Sequence, residues 1–111
     1  MRVLVCGGRE YLNIDFVYQV LDTLDGVSEI IEGGARGVDT IARHWAKERG
    51  VPVRTFRADW QKHKKSAGPI RNGQMLREGK PDLVIAFPGG RGTANMVEQA
   101  IRAGVPVEIH D

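Results

Sequence analysis

Glycine and arginine recur together in this sequence, and these residues are the ones best suited to chemistry. The clearest segment is Phe87-Pro88-Gly89-Gly90-Arg91-Gly92-Thr93, in which three glycines fall within four positions. Glycine lets backbone amides come close to a ligand, and a helix that follows directs the positive end of its dipole at the same place. The segment therefore predicts an anion-binding turn formed by residues 88–93.

Two earlier segments share this composition. Gly7-Gly8-Arg9 follows the first apolar run, and Gly33-Gly34-Ala35-Arg36-Gly37 follows the second, with Asp39 just beyond it as a candidate contact for ribose hydroxyls. Arginine binds phosphate through two parallel hydrogen bonds. Glycine for close approach and arginine for charge together predict a ligand that contains phosphate.

Apolar runs alternate with segments of helical spacing along the whole chain. Strands are predicted at 2–6, 28–32, 51–56, 82–87 and 105–109, with four helices between them, one of which covers 70–78. This alternation predicts one Rossmann-like α/β domain over residues 1–111, in which helices cover both faces of a five-stranded parallel sheet. The strand order 3-2-1-4-5 would place the three glycine turns side by side at the carboxyl edge, where such folds bind ligands.

The most apolar run, 82–87, is expected to be the central strand. Residues 57–68 show neither helical nor strand periodicity and are long for a connection between a strand and a helix, so they are predicted to be a loop. Trp60 in this loop could stack on a base or anchor the loop to the surface.

Composition excludes several functions. The formal net charge of +2 is too small to indicate nucleic acid, although residues 54–80 contain eight basic residues and two acids. A single cysteine and the lack of a signal-like or membrane-length apolar segment predict a cytoplasmic protein without membrane contact. Neither a dinucleotide fingerprint nor a P-loop occurs, and Cys6 and the three histidines lack ligand spacing, so no cofactor and no metal are expected.

Four motifs in the same order are similar to those of a known family. Gly7-Gly8-Arg9-Glu10-Tyr11, Glu32 to Asp39, Ala67-Gly68-Pro69-Ile70-Arg71-Asn72 and Phe87 to Thr93 resemble the YspA-type branch of the SLOG superfamily. That superfamily includes the Lonely Guy phosphoribohydrolases and the DNA-processing protein A family. The resemblance implies a Rossmann-like fold that binds nucleotides or nucleotide-derived small molecules, with Arg71 and Asn72 at the site, and a homodimer or larger homo-oligomer.

The resemblance also raises an enzymatic hypothesis. Lonely Guy enzymes cleave the N-glycosidic bond of a nucleoside monophosphate with an arginine and with the glutamate of P-G-G-x-G-T-x-x-E. Arg71 matches the arginine, but Met96 occupies the glutamate position, and the nearest acid, Glu98, lies about 200° away around a helix. Glu98 is thus a weak catalytic candidate, and Asp39 and Glu10 are alternative carboxylates.

Three functions follow from these observations, and the sequence leaves open whether the protein is an enzyme. The first is binding of a nucleotide or nucleotide-derived signal, which the missing glutamate favours. The second is a phosphoribohydrolase that releases ribose 5-phosphate. The third is binding of single-stranded nucleic acid through residues 54–80. It ranks below a small ligand because one aromatic residue, Trp60, accompanies the basic run 62–65 and no RNA-binding motif is present.

Overall fold

The computed structural model describes every residue from Met1 to Asp111. Strands and helices alternate along the chain. The strands are β1 (Arg2–Cys6), β2 (Glu29–Glu32), β3 (Val53–Thr55), β4 (Leu83–Ala86) and β5 (Val107–Ile109). The helices are α1 (Ile14–Asp22), α2 (Val38–Arg49), the short α3 (Trp60–His63), α4 (Ala67–Gln74) and α5 (Arg91–Arg102).

The five strands form one parallel sheet in the order β3-β2-β1-β4-β5, which confirms the predicted α/β fold and strand order. β1 is the middle strand, with Arg2 opposite Glu29 of β2 and Val3 opposite Leu83 of β4. The expectation that residues 82–87 form the central strand is corrected: β4 is an interior strand between β1 and β5. Burial on both faces makes an interior strand as apolar as a middle one, so composition cannot separate the two.

The core lies on both faces of the sheet, and β1 contributes to each. Val3 and Val5 pack in a cluster with the apolar faces of α1 and α2, whereas Leu4 and Cys6 pack with residues such as Met75 and Met96 on the other side. This division explains why the strands are apolar at consecutive positions rather than at alternate ones. No helix in the structure has both the length and the apolar character needed to cross a membrane.

The predicted loop at 57–68 is partly helical, which corrects the sequence analysis. It contains α3 and a single 3₁₀ turn at Lys64–Ser66. Asp59 caps α3, because its Oδ1 accepts a hydrogen bond from the Lys62 amide at 3.0 Å. A helix of one turn has no apolar repeat to detect, so its period was invisible in the sequence.

The helix predicted at 70–78 begins earlier and changes character near its end. α4 begins at Ala67, and Pro69 lies in its first turn, where the missing amide would have had no intrahelical acceptor. The last turn, Met75–Gly79, has π-helical hydrogen bonding.

The contact between the first and second glycine turns can be tested at Gly37. Its φ is +78°, and a Cβ at this position would lie 2.7 Å from the Arg9 carbonyl oxygen and nearer still to that of Gly8. We expect Gly37→Ala to lower the free energy of unfolding by about 2–4 kcal/mol, because alanine disfavours this backbone region and the turns must separate. Urea denaturation measures the effect.

Gly92→Ala is the matched control, since a Cβ at Gly92 would meet no atom within 4 Å. This change should leave the free energy of unfolding unchanged or raise it by up to about 1 kcal/mol, because alanine has a higher helix propensity than glycine. Equal stability of the Gly37→Ala and Gly92→Ala proteins would contradict the proposed close approach.

Candidate functional site

The three glycine turns meet at the carboxyl edge of the sheet, with the turn after β1 between the other two. The Gly8 amide donates to the Pro88 carbonyl at 2.8 Å, and the Gly8 carbonyl accepts from the Val38 amide at 3.2 Å. A Cβ on Gly89 would lie 2.7 Å from the Gly8 nitrogen, so only glycine permits this approach. The backbone packing thus fixes the relative positions of all three turns.

A cleft of about 610 Å³ opens beside these turns, between the start of α5 and the segment that contains α3 and α4. Eleven residues predicted for the site line it, from the three turns, the start of α2 and α4: Gly7, Gly8, Arg9, Ala35, Asp39, Arg71, Asn72, Gly90, Arg91, Gly92 and Thr93. Lys65, from the basic run 62–65, also lines the cleft, as does Met75, which was missed. Met75 is four residues after Arg71, so helical spacing could have identified it.

Five predicted residues lie outside the lining of this cleft. Pro88, Gly89 and Gly37 contact the neighbouring turns, as described above, and they support the site rather than face it. Gly33 and Gly34 line a smaller adjoining pocket of about 380 Å³.

Two buried carboxylates organise the second turn. Glu32 Oε1 accepts the Gly34 amide at 2.7 Å, and Asp39 Oδ2 accepts the amides of Gly33 and Ala35, each at 3.2 Å. All three amide protons are therefore occupied within the chain. Contact of these residues with a ligand stays a prediction, and a ligand would have to compete with the chain's own carboxylates for the three amides.

Glu32 was not selected from the sequence as a structural residue. Its side chain is fully buried at the end of β2, where it also accepts a hydrogen bond from the Thr55 hydroxyl and lies 3.9 Å from Arg43 Nη1. An unpaired carboxylate at this depth would cost several kcal/mol, so these partners are required. The available signal was a single acid at the end of an apolar strand, directly before two glycines.

The carbonyl groups of the same turn accept hydrogen bonds from arginines. Arg71 Nη1 donates to the Gly33 oxygen at 2.6 Å, and Arg57 Nη1 donates to the Gly34 oxygen at 3.2 Å. The polar groups beside this turn are consequently guanidinium groups, which can bind an anion through their remaining N–H bonds.

Arg71 is connected to α5 through Asn72. Arg71 Nε donates to Asn72 Oδ1 at 3.1 Å, and Asn72 Nδ2 donates to the Gly92 carbonyl at 3.2 Å and to Asn95 Oδ1 at 3.1 Å. Asn72 is only 3% exposed, so this network is protected from water. Burial lowers the pKa of Arg71 below its ordinary value, but a guanidinium remains charged at neutral pH.

The first turn of α5 faces the cleft and lacks a side-chain cap. Gly90 occupies the N-cap position without a side-chain hydrogen bond, and Gly90, Arg91, Gly92 and Thr93 line the cleft. The first amides of a helix have no intrahelical acceptor. At this turn, unlike at Gly33, Gly34 and Ala35 of the second, no side chain accepts from the backbone amides, which leaves them available to an anion.

Asp39 and Cys6 are buried titratable groups in the wall of the cleft. Burial, reinforced by the nearby Glu32 charge, raises the pKa of Asp39 from 3.8 to about 6 against the opposing hydrogen bond from Ala35. Burial, with a smaller contribution from the negative charge of Asp39, raises the pKa of Cys6 to about 12. The thiol is therefore protonated at neutral pH, which does not suit a nucleophile.

The structure does not bring Glu98 to Arg71. Glu98 is exposed, pairs with Arg102 on α5 and is not part of the cleft lining, while Met96 is fully buried in the core. Of the alternative carboxylates, Asp39 and Glu10 both line the cleft, and Glu10 pairs with Arg36 at the surface.

Trp60 lies at the cleft, and Arg9 packs over its ring with the guanidinium carbon 5.1 Å from the ring centroid. The indole is 47% exposed, which leaves part of its surface open to a ligand. Tyr11 packs against Phe87, with 6.1 Å between the ring centroids.

The raised pKa of Asp39 predicts a pH dependence of stability. Because the unfolded chain releases this proton near pH 3.8 and the folded chain near pH 6, the folded state loses stability as the pH rises through this interval. The pKa difference corresponds to up to about 3 kcal/mol. We expect Asp39→Asn to lack this loss, so the variant should gain stability relative to the parent between pH 4 and pH 7.

Urea denaturation of both proteins across this pH range measures the relative change and cancels any constant cost of the substitution. A difference that stays constant with pH would show that the two amide hydrogen bonds offset the effect of burial on the Asp39 pKa, and a change in the opposite direction would show that they outweigh it.

Solved structures with the same fold include two sugar-nucleotide enzymes. UDP-GlcNAc 2-epimerase from Neisseria meningitidis, bound to UDP-GlcNAc, has a TM-score of 0.59 at 16% identity and covers 98% of this chain and 32% of the epimerase. Another UDP-N-acetylglucosamine 2-epimerase has a TM-score of 0.62 at 13% identity, and the match again covers 98% of this chain and 32% of the enzyme. The chain thus spans about a third of each enzyme, and at these identities the likeness shows a shared Rossmann-like fold alone.

Sequence relatives establish the family. Gene 61 protein of Mycobacterium phage D29 is 40% identical over 117 residues, which cover 96% of this chain and 93% of the phage protein. The profile of the YspA, cpYpsA-related SLOG family matches residues 1–63, and this confirms the resemblance found in the motifs. Family membership supports a nucleotide-related role. The chain belongs to the YspA, cpYpsA-related SLOG family.

Proposed function

We propose that the cleft binds a nucleotide or a nucleotide-derived small molecule, such as an ADP-ribose derivative, through its phosphate. The observation that supports this most directly is the uncapped first turn of α5, which lines the same cleft as Arg9, Arg71 and Arg91. Free amides at a helix N-terminus and arginines both favour phosphate, so two independent features select the same chemistry.

The cleft also has room and partners for the remainder of a nucleotide. Its volume of about 610 Å³ lies within the usual range for small-molecule sites. In the proposed arrangement the phosphate contacts residues 90–93 and Arg71, a base stacks on Trp60, and Asp39 accepts from a ribose hydroxyl. Gly7 and Gly8 form the wall on which the ligand packs.

A small ligand agrees better with this arrangement than single-stranded nucleic acid does. Of the basic run 62–65, Lys65 alone lines the cleft, whereas Lys62 and Lys64 lie outside it. A nucleic-acid groove would require basic and aromatic residues along an extended surface.

Binding can be tested by calorimetry and thermal shift with AMP, ADP-ribose and cyclic ADP-ribose. We expect at least one of them to stabilise the protein, by about 2.7 kcal/mol at a hundredfold excess over its Kd. Arg71→Ala should weaken binding about 10- to 100-fold, because one charge-assisted contact is lost. Arg102→Ala, which removes an exposed arginine outside the cleft, should bind as the parent does.

The absence of stabilisation by every compound would contradict the proposal. An equal loss in Arg71→Ala and Arg102→Ala would show that net charge, rather than the cleft, determines binding. Arg71→Lys separates charge from geometry, since lysine keeps the charge but lacks the planar group that contacts Gly33 and Asn72 together.

A second candidate function is hydrolysis of a nucleoside monophosphate to free base and ribose 5-phosphate. It is favoured by one observation: Asp39 lines the cleft beside Arg71, with a pKa of about 6 that suits proton transfer near neutral pH. Cleavage of an N-glycosidic bond needs a carboxylate to stabilise a cationic sugar or activate water. In this hypothesis Asp39 replaces the glutamate whose position Met96 occupies, and Arg71 binds the phosphate.

Chromatography after incubation with nucleoside monophosphates tests this reaction. We expect free base to accumulate with the parent protein, and Asp39→Asn to reduce the rate at least about 100-fold. Glu98→Gln is the control, because Glu98 lies outside the cleft, and should keep the parent rate. Absence of free base, or a rate that depends on Glu98 and not on Asp39, would reject the enzymatic hypothesis.

Two sequence expectations stay proposals about the protein as a whole. The first is a homodimer or larger homo-oligomer, and exposed apolar side chains such as Leu12 at 84% and Ile101 at 63% are available for such contacts. The second is a cytoplasmic location, where nucleotides of the proposed class are present.

A further inference from the structure

A second pocket of about 380 Å³ adjoins the cleft above the second glycine turn. Four arginines line it: Arg9, Arg36, Arg57 and Arg71. No acidic residue contributes to its lining. Such a concentration of like charge is unfavourable unless an anion offsets it.

Salt bridges within the chain offset little of this charge, although the charges of the buried carboxylates Asp39 and Glu32 act on Arg71. Arg36 pairs with Glu10 at the surface, whereas Arg9, Arg57 and Arg71 have no salt bridge. Arg57 and Arg71 donate to the neutral carbonyls of Gly34 and Gly33, and Arg9 packs on Trp60, so these contacts orient the guanidinium groups without neutralising them.

The oriented arginines also keep donors for a ligand. A guanidinium has five N–H donors, of which Arg57 uses one and Arg71 uses two within the chain. The buried carboxylates Glu32 and Asp39 do not line this pocket, and Glu32 Oε1 and Asp39 Oδ2 are bonded to the turn's amides. The pocket is therefore a set of fixed cationic donors.

The pocket and the cleft are continuous through shared residues. Arg9, Ala35, Trp60 and Arg71 line both, so Arg71 stands between the uncapped start of α5 and the second pocket. A ligand seated in the cleft with one phosphate at α5 could therefore place a second anionic group among the arginines.

We propose that this pocket is a second anion subsite and that the ligand is a nucleotide with two phosphate groups, one at each subsite. The inference rests on the proposed binding function and deepens it, because it selects ligands with an additional phosphate over the corresponding monophosphates. Arg57 and Arg36 contact only the second phosphate, since both line the second pocket and neither lines the cleft.

The test compares nucleotides that differ by one phosphate. Calorimetry at fixed ionic strength measures the Kd of the 5′-monophosphate, the 5′-diphosphate and the 3′,5′-bisphosphate, in the adenine and guanine series. We expect one of the doubly phosphorylated compounds to bind at least about tenfold more tightly than its monophosphate, as one more charge-assisted contact implies. Arg57→Ala should abolish that preference and leave the monophosphate Kd unchanged within about threefold.

Controls distinguish a built subsite from general attraction. Arg36→Ala should reduce the preference, and Arg102→Ala, which removes the same charge at a distance, should retain it. Circular dichroism and thermal unfolding of Arg57→Ala verify that loss of its Gly34 contact has not unfolded the turn. If the turn has unfolded, Arg36→Ala replaces it as the test variant, because the Arg36 side chain bonds to Glu10 and not to the turn's backbone.

Each outcome has a distinct meaning. If monophosphates bind but neither doubly phosphorylated series binds more tightly, or if the preference survives in both Arg57→Ala and Arg36→Ala, the second subsite is rejected and the proposed function stands. If Arg102→Ala removes the preference equally, the subsite is also rejected. If no nucleotide binds, the proposed function and the subsite fail together.

Discussion

The site depends on two buried carboxylates, Glu32 and Asp39, which occupy the amides of the second glycine turn. Burying two acids side by side is unfavourable, and the hydrogen bonds from the turn offset part of that cost. The turn therefore has one stable orientation, with its amides directed to the carboxylates and its carbonyl oxygens bonded to arginines. The positions of Arg57 and Arg71 follow from this orientation.

The glycine turns consequently differ in what they offer a ligand, although their sequences look alike. The turn before α5 has free amides because no side chain caps the helix. In the second turn the amides of Gly33, Gly34 and Ala35 are bonded to carboxylates, and arginines bonded to the Gly33 and Gly34 carbonyls provide cationic groups instead. Both arrangements favour anions, but amides at a helix start bind at close range, whereas guanidinium groups reach further and define a wider pocket.

The sequence predicts the fold well because strands, helices and turns are encoded in local patterns. Alternating apolar runs and glycine turns were sufficient for the parallel sheet, its order and the meeting of the three turns. Hydrogen-bond direction is not encoded locally: nothing in Gly33-Gly34-Ala35 indicates which side its amides face, since that depends on Glu32 and Asp39 in three dimensions. The single turn of α3 was missed because it is too short for periodicity.

Asp39 connects the stability of this turn to the occupancy of the site. Its Oδ2 accepts the Gly33 and Ala35 amides, and Arg71, which favours the ionised form of Asp39, is the residue proposed to bind phosphate. A phosphate beside Arg71 would offset that positive charge and make the Asp39 carboxylate harder to ionise. Ligand binding and protonation of Asp39 would then favour each other by linkage. In the proposed arrangement, the protonation of the Asp39 carboxyl group, which holds the turn in place, therefore depends on whether the anion is bound.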